Sequence, residues 1–571
     1  MSPVLPREDL PLRILFVLHY PAHLRLFDSA IAELLKRGHT IHLAFDAPDK
    51  LAEGLEALEG TGHGLELLGA LPRRSGFWGA LARDLRRGID YARYLHPEFV
   101  ETPELRRRIE DGLPWSLRWL IRTSTLSQPA ARLLIRLLLA LEGAVPSSAS
   151  FERWVSDVRP DVAVVSPLVN DASPQTDVVK AARALRVPSL LAVGSWDHLT
   201  TKGLIREHPD RVLLWNEAQA SEAMELHAVP GRKLTVTGAQ PFDRWFDREP
   251  SSTPEDFRER AGLPPNKPFV LFVGSTATIS TPAAELEFVR SWIAALRSSA
   301  TPEIRDLAVL VRPHPYNPGA WERADVSDLG DVAVWPRGGA NPVDPADRND
   351  YFDSLYHSVG VVGINTSAMI EAAIVGRPVH TVRVPEFSET QAGTVHFRYL
   401  LPEHGGFLRV ADSLPEHLDL LAETLTRPDL VADQIERFVG SFIRPRGVRQ
   451  PATPIVASAV EDAARAAVSP FPPPAHRSLL RLLLGGVGVA VLLFDRPEWG
   501  GALPRLRRRY VKRLATATRR RRRRLSKTYR RSSKRAHTTL GYPVRRRSAE
   551  HGKRPASSSE ERAAGQTGSG S

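Results

Sequence analysis

Two histidines, His19 and His23, stand in the segment HYPAHLRLF, directly after the apolar run ILFVL. An imidazole with an ordinary pKa of about 6.5 can take a proton from a hydroxyl near neutral pH, so either could activate an acceptor. A second polar cluster, GSWDHLTTKG (194–203), also follows an apolar run and offers Asp197 and His198 as further acid–base groups. A capped turn would enrich Asp and Thr in the same way.

Three later segments carry groups suited to phosphate. In FVGSTATIS (272–280), Gly274 permits close backbone approach and Ser275 supplies a hydroxyl. In VRPHP (311–315), Arg312 and His314 are held on an extended chain by prolines, for a diphosphate or for a buried salt bridge. In VGINTSAMIEAAIVGRP (362–378), Asn365, Thr366 and Ser367 sit where a strand gives way to a helix.

The same stretch holds a lone carboxylate, Glu371, among Ala, Met and Ile. A capping box needs Glu three residues after a Ser or Thr, but that place is Ala368. Ligand hydroxyls, such as a ribose diol, are the functional use for Glu371. An internal pair with Arg312 or Arg377 is the structural one.

These groups need a scaffold. Residues 13–45 read as an apolar strand, a helix ended by Gly38 and a second apolar strand, a βαβ unit of a parallel sheet. The rhythm returns in DVAVV, SLLAVG, RVLLW and KLTVTG up to residue 238, and again in FVLFVG, LAVLV, DVAVW, SVGVVG and PVHTVRV from residue 269. The expectation is two doubly wound α/β domains, at 12–247 and 262–468, separated by a Pro-rich linker. A helical insertion at about 75–150 carries Trp78, Trp115 and Trp119. Such sheets bind ligands at the carboxyl ends of their strands, so two of them would enclose a cleft.

The chain has 571 residues and no cysteine, which excludes disulfides and thiolate chemistry and fits a reducing compartment. Net charge is +12, yet residues 505–571 hold 23 Lys+Arg against 3 Asp+Glu, leaving the remainder at −8. Before them, SLLRLLLGGVGVAVLLF (478–494) has an apolar core too short to span a bilayer. The segment 471–571 is therefore expected to meet an anionic membrane surface through 478–547. Arg-rich tails also bind nucleic acid, but the preceding hydrophobic segment and acidic body make that the disfavoured partner. No signal peptide is visible at the start, and the expected location is cytoplasmic, peripheral to the inner face of the membrane.

The order of these elements resembles the GT-B glycosyltransferases, over roughly residues 13–468. The resemblance implies two Rossmann-like domains, the first binding an acceptor and the second a nucleotide-sugar donor. On that likeness His23 takes the catalytic-base place, and Thr366 and Ser367 meet the phosphates. Glu371 would meet the ribose hydroxyls. The loop PEFSETQAGT nominates Glu389 and Gln391 for the donor sugar. The Arg-x-His-Pro element at Arg312 is similar to bacterial envelope-polymer transferases, including CDP-glycerol glycerophosphotransferases, although the Asp-Tyr-Ser-Ser type of segment is replaced here by Asn365-Thr366-Ser367. The implied function is transfer of a sugar to a cell-envelope glycan or lipid-linked acceptor, with no metal and no cofactor. The alternatives are a glycerophosphotransferase, a nucleotide-sugar 2-epimerase, and a non-catalytic membrane or nucleic-acid-binding scaffold.

Overall fold

Strand β1 (Arg13–Leu18) is buried from Ile14 onward, as a strand covered on both faces must be. Helix α1 (Asp28–Lys36) buries Ala30, Ile31, Leu34 and Leu35 on one stripe, and Gly38, at φ 87°, turns the chain into β2 (Thr40–Phe45). The computed structural model describes residues 10–47, 64–100, 102–110, 112–113, 127–342, 345–466 and 475–494. Trp115, Trp119 and most of the basic tail lie outside them. The chain up to Gly488 forms one compact unit.

Strand β3 (Leu65–Ala70) is only partly buried and so lacks the continuous apolar run that marks the other strands. Helices α2 (Gly76–Arg93), α3 (Gln128–Ala144) and α4 (Ala149–Val158) follow. Strands β4 (Val162–Ser166), β5 (Ser189–Ala192), β6 (Arg211–Leu214) and β7 (Leu234–Val236) then complete a seven-stranded sheet in the order β3-β2-β1-β4-β5-β6-β7. Every pairing in it is parallel.

The insertion packs through Ala82, Leu85 and Ile89 of α2 against Leu138 of α3. A buried ion network ties it to the sheet: Arg86 meets Glu142 at 3.0 Å and Asp177 at 2.7 Å, and Lys180 meets Glu142 at 2.9 Å.

The expected linker is not featureless. Residues Pro254–Arg260 form a helix whose Thr253 hydroxyl accepts from the Asp256 amide at 3.2 Å, a Thr-Pro start that pre-sets the first turn. Its Phe257 is fully buried against Phe269, 5.8 Å between ring centres.

The second sheet contains β8 (Phe269–Val273), β9 (Ala308–Arg312), β10 (Val332–Val334), β11 (Gly360–Gly363), β12 (Val379–Val382) and β13 (Arg409–Ala411). Their order is β10-β9-β8-β11-β12-β13, again all parallel. Helix α5 (Pro345–Tyr356) precedes β11 and α6 (Ala368–Ile374) follows it. The architecture is therefore α/β with two doubly wound parallel sheets. In both sheets the order reverses beside the first strand, between β1 and β4 and between β8 and β11, the switch points where such folds open a crevice.

The sequence reading closes the second domain at 468, whereas helix α7 (Ala452–Arg465) packs on the first sheet. Its Val456, Ala457 and Val460 join Ile14, Phe16 and Leu34 in one core, and Glu461 meets His39 at 2.7 Å and Arg37 at 3.1 Å. An amphipathic pattern fixes which face of a helix is apolar but not which core receives it. A last helix, α8 (Ala475–Phe494), covers the apolar run before the tail.

Candidate functional site

The carboxyl ends of the two sheets line a common cavity of about 240 Å³. From the first sheet it is walled by Tyr20, His23 and Arg25 after β1, and by Gly194, Trp196 and His198 after β5. From the second come Gly274 after β8, Arg312 and His314 at the end of β9, and Thr366, Ser367 and Glu371 after β11.

His23 sits in a short 3-10 segment, Pro21–Leu26, with its ring 4.1 Å from that of Tyr20 and 6.4 Å from that of His198. Burial, with His198, His19, Lys202 and Arg25 nearby, lowers its pKa well below the ordinary histidine value. A neutral imidazole results, able to accept a proton. His198 is pushed down to about 3, chiefly by burial, and its Nδ1 has no hydrogen-bond partner among the described residues.

His19 turns away from the cavity lining and pairs through Nδ1 with Asp46 Oδ1 at 2.5 Å. Asp197 is fully engaged as well. One oxygen accepts from Ser195 at 2.5 Å and the other from Thr201 at 2.8 Å. Burial would raise its carboxyl, but His198, Lys202 and His396 outweigh burial and keep it ionised. Asp197 therefore braces the GSWDHLTTKG turn rather than lining the cavity.

On the opposite wall, Arg312 is buried and meets Asp350 at 3.2 Å. The salt bridge and the cavity-facing position thus coexist in one side chain. His314 is lowered to about 4 by burial and by Arg25, so its imidazole is neutral near pH 7. Its Nδ1 accepts from the Tyr316 amide at 3.1 Å, which leaves the ring proton on Nε2 as a donor.

Glu371 caps nothing: Ser367 precedes α6 without a side-chain cap bond. Neither Arg312 nor Arg377 pairs with it among the described residues. Its Oε2 instead accepts the hydroxyl of Tyr351. Burial pushes the carboxyl up, against the opposing effects of Tyr351, Arg25 and Arg244.

Four more nominated residues, besides His19 and Asp197, lie outside the cavity lining. Ser275 is buried, its amide donating to Glu285 at 2.8 Å and its hydroxyl accepting from the Asn365 amide at 3.5 Å. Asn365 spends its side chain on the Thr390 carbonyl at 2.8 Å. Gln391 donates to the Ile364 carbonyl at 3.0 Å and to Thr381 Oγ1 at 2.8 Å, pinning its loop behind the sheet. Glu389 is exposed and pairs with Arg107 at 3.2 Å. A loop position fixed the nominations, and only side-chain direction separates a pin from a ligand.

The sequence reading misses most of the cavity's charge. Arg25, Arg244, Arg248 and Arg348 line it together with Arg312, against Glu371 as the one lining carboxylate among the described residues. Asp28 serves both Arg244 at 2.9 Å and Arg348 at 3.4 Å, and Asp350 serves both Arg312 and Arg260 at 3.2 Å. Arg312 and the pair Arg244 and Arg348 thus each share a carboxylate, and five guanidiniums line the cavity. Arg25, two residues beyond His23 in the same strand-end segment, was within reach of the strand-end rule. Arg244, Arg248 and Arg348 come from helical or linker positions that carry no motif. Among the described residues no cluster of three His, Cys, Asp or Glu is placed to hold a metal.

No protein-family model and no curated protein matches the sequence. Solved structures do resemble the fold. A glycosyltransferase from Rickettsia africae ESF-5 aligns at 11% identity over 80% of this chain and 99% of its own, with a TM-score of 0.47. UDP-GlcNAc 2-epimerase from Neisseria meningitidis, bound to UDP-GlcNAc, aligns at 12% over 79% and 100%, with a TM-score of 0.44. The calicheamicin glycosyltransferase CalG4 aligns at 14% over 80% and 99%, with a TM-score of 0.41.

Proposed function

We propose that the cavity binds a nucleotide-activated sugar and that the protein transfers the sugar to an acceptor hydroxyl presented from the first sheet. The observation that carries this reading is the division of chemistry across the cavity. A neutral imidazole, His23, stands with Arg25 on the first sheet's wall, Arg312 and the carboxylate of Glu371 stand on the second's, and Arg244, Arg248 and Arg348 complete the lining. A diphosphate suits the arginines, because charge-assisted bonds to guanidinium are the strongest available to it.

In this mechanism the acceptor oxygen attacks the anomeric carbon while His23 removes its proton. The bond from that carbon to the diphosphate oxygen breaks with its electron pair, and the nucleoside diphosphate leaves. Arg312 and the neighbouring guanidiniums meet the charge that develops on the leaving oxygen. His314 donates through Nε2, and the hydroxyls of Thr366 and Ser367 add further donors. Glu371 accepts from the ribose hydroxyls. An envelope glycan or lipid-linked sugar is the acceptor class favoured by the likeness to envelope-polymer transferases.

The test is turnover by the full chain with UDP-, GDP-, CDP- and dTDP-linked sugars and with CDP-glycerol, with and without acceptors. Release of a nucleoside diphosphate that depends on acceptor supports the reading, with His23→Ala slowing it by about 100-fold or more. Epimerisation or free sugar without acceptor contradicts it, as does transfer confined to CDP-glycerol with release of CMP.

A further inference from the structure

Two helices that touch each other present leucines to solvent. On α3, Leu133 and Leu137 are 68% and 53% exposed, with Arg132 and Arg136 exposed beside them. Spacing of four residues sets Leu133 and Leu137 on one stripe and Arg132 and Arg136 on the adjacent one. On α8, Leu479, Leu482 and Leu483 are exposed, Leu482 by 75%, around Arg481. The helices meet where Arg481 Nε donates to the carbonyl of Ala144, the last residue of α3, at 3.1 Å. Arg477 lies 3.8 Å from Glu207 on the body of the first sheet. The other exposed large apolar residues, such as Leu10, Val100 and Met224, stand singly along the chain, as on any soluble surface.

By length and composition, α3 and α4 could pass for a membrane span broken by a 65° bend. Burial rules against it. Phe151 and Val155 of α4 are fully buried in the core of the first sheet, and Glu142 of α3 is buried on Arg86 and Lys180. Among the described residues no single helix is long and apolar enough to cross a bilayer. What faces outward is a shallow leucine surface edged by arginine, the composition of a helix lying in the plane of an anionic interface.

Charge argues for the same occupant. The sequence after α8 carries 23 Lys+Arg against 3 Asp+Glu from residue 505, whereas the rest of the chain is net negative. An acidic body gains nothing from a negative surface except where cations are gathered, at this face and in the sequence that follows it. We infer that α3 and the first half of α8 form the face by which the protein sits on anionic phospholipid, leucines at the acyl boundary and arginines on the phosphates. The inference is independent of what the cavity binds.

The experiment is co-sedimentation of the full chain with phosphatidylcholine vesicles, with and without phosphatidylglycerol. The parent is expected to bind the phosphatidylglycerol vesicles. The combined variant Leu133→Ser, Leu137→Ser, Leu482→Ser and Leu483→Ser is expected to bind them about tenfold or more weakly, with an unchanged circular dichroism spectrum and melting temperature. Should that variant misfold, Arg132→Gln with Arg136→Gln and Arg481→Gln probes the same face, with weaker binding and a shallower salt dependence expected. The inference is overturned if the parent ignores the vesicles, if it binds a DNA duplex in their place, or if the folded variants bind as tightly as the parent.

Discussion

Tyr351 on α5 donates its hydroxyl to Glu371 on α6, and the same ring lies 5.1 Å from the guanidinium carbon of Arg312. One side chain thus orients the carboxylate proposed for the ribose and the cation proposed for the phosphates. Tyr351→Phe keeps the ring and removes the donor. Donor affinity should fall by about 3- to 10-fold, the worth of one hydrogen bond. Because that bond opposes the effect of burial on Glu371, its loss raises the carboxyl pKa further and moves the acid limb of binding to higher pH. Calorimetric titration across a pH series checks both; an unchanged profile would separate Tyr351 from the ligand.

Arg312 supplies a planar fork that a lysine cannot. Arg312→Lys should weaken donor binding by about tenfold although the charge is kept, and Arg312→Ala by more. Equal affinity in the lysine variant would mean that only net charge matters at this position.

The pH dependence of turnover follows from His23. Burial, reinforced by His198, His19, Lys202 and Arg25, lowers its pKa, so the base is already neutral well below pH 6.5. Activity should stay level through neutrality and fall only as pH drops well under the ordinary histidine value of about 6.5. A limb centred at the ordinary value in kcat/KM would point to a different base.

Glu222 tests the electrostatics of the interior away from the cavity. Its side chain is buried, and burial pushes its pKa up to about 8 despite the Tyr399 hydroxyl, Arg93 and Arg398. The unfolded chain ionises near the ordinary glutamate value, so between that value and about 8 the folded state holds a proton that the unfolded state releases. The resulting penalty is absent below the lower pKa and grows as pH rises through this window. Glu222→Gln should therefore stabilise the protein by roughly 1–3 kcal/mol near pH 7 and hardly at all near pH 4.5. Denaturant midpoints at the two pH values decide it, and an equal shift at both would contradict the sign.

Gly274 closes the cavity wall at the end of β8. A Cβ there would stand 2.7 Å from the His314 amide nitrogen and 3.2 Å from the Arg312 carbonyl, and both are backbone atoms that cannot swing aside. Gly274→Ala should cost about 1–3 kcal/mol of stability and displace the Arg312 to His314 segment, so that melting temperature and donor affinity fall together. A variant that melts and binds like the parent would show the wall to be soft.

The strand runs were legible because a parallel strand buried on both faces is written as unbroken apolar sequence, as in ILFVL and FVLFV. Strand β3, half exposed at the sheet edge, was not. The strand-end rule picked out His23, Gly274, Arg312, His314, Thr366, Ser367 and Glu371, which line a shared cavity. It could not tell them from Ser275 and Asn365, which occupy the same turns but point into the protein. Nor could it see Arg244 or Arg348, which both line the cavity and both meet Asp28 after β1. Convergence of segments distant in sequence is a property of packing, and no local pattern records it.

The account rests most heavily on Glu371 as the hydroxyl-binding group of a donor site. Calorimetric titration of the full chain with UDP-, GDP-, CDP- and dTDP-linked sugars, repeated with Glu371→Ala and with the surface control Glu389→Ala, puts that claim to direct measurement. The account predicts that at least one donor binds the parent and the control alike, and that Glu371→Ala binds it about 10- to 100-fold more weakly. Absence of binding by every donor, or equal affinity in Glu371→Ala, would contradict it.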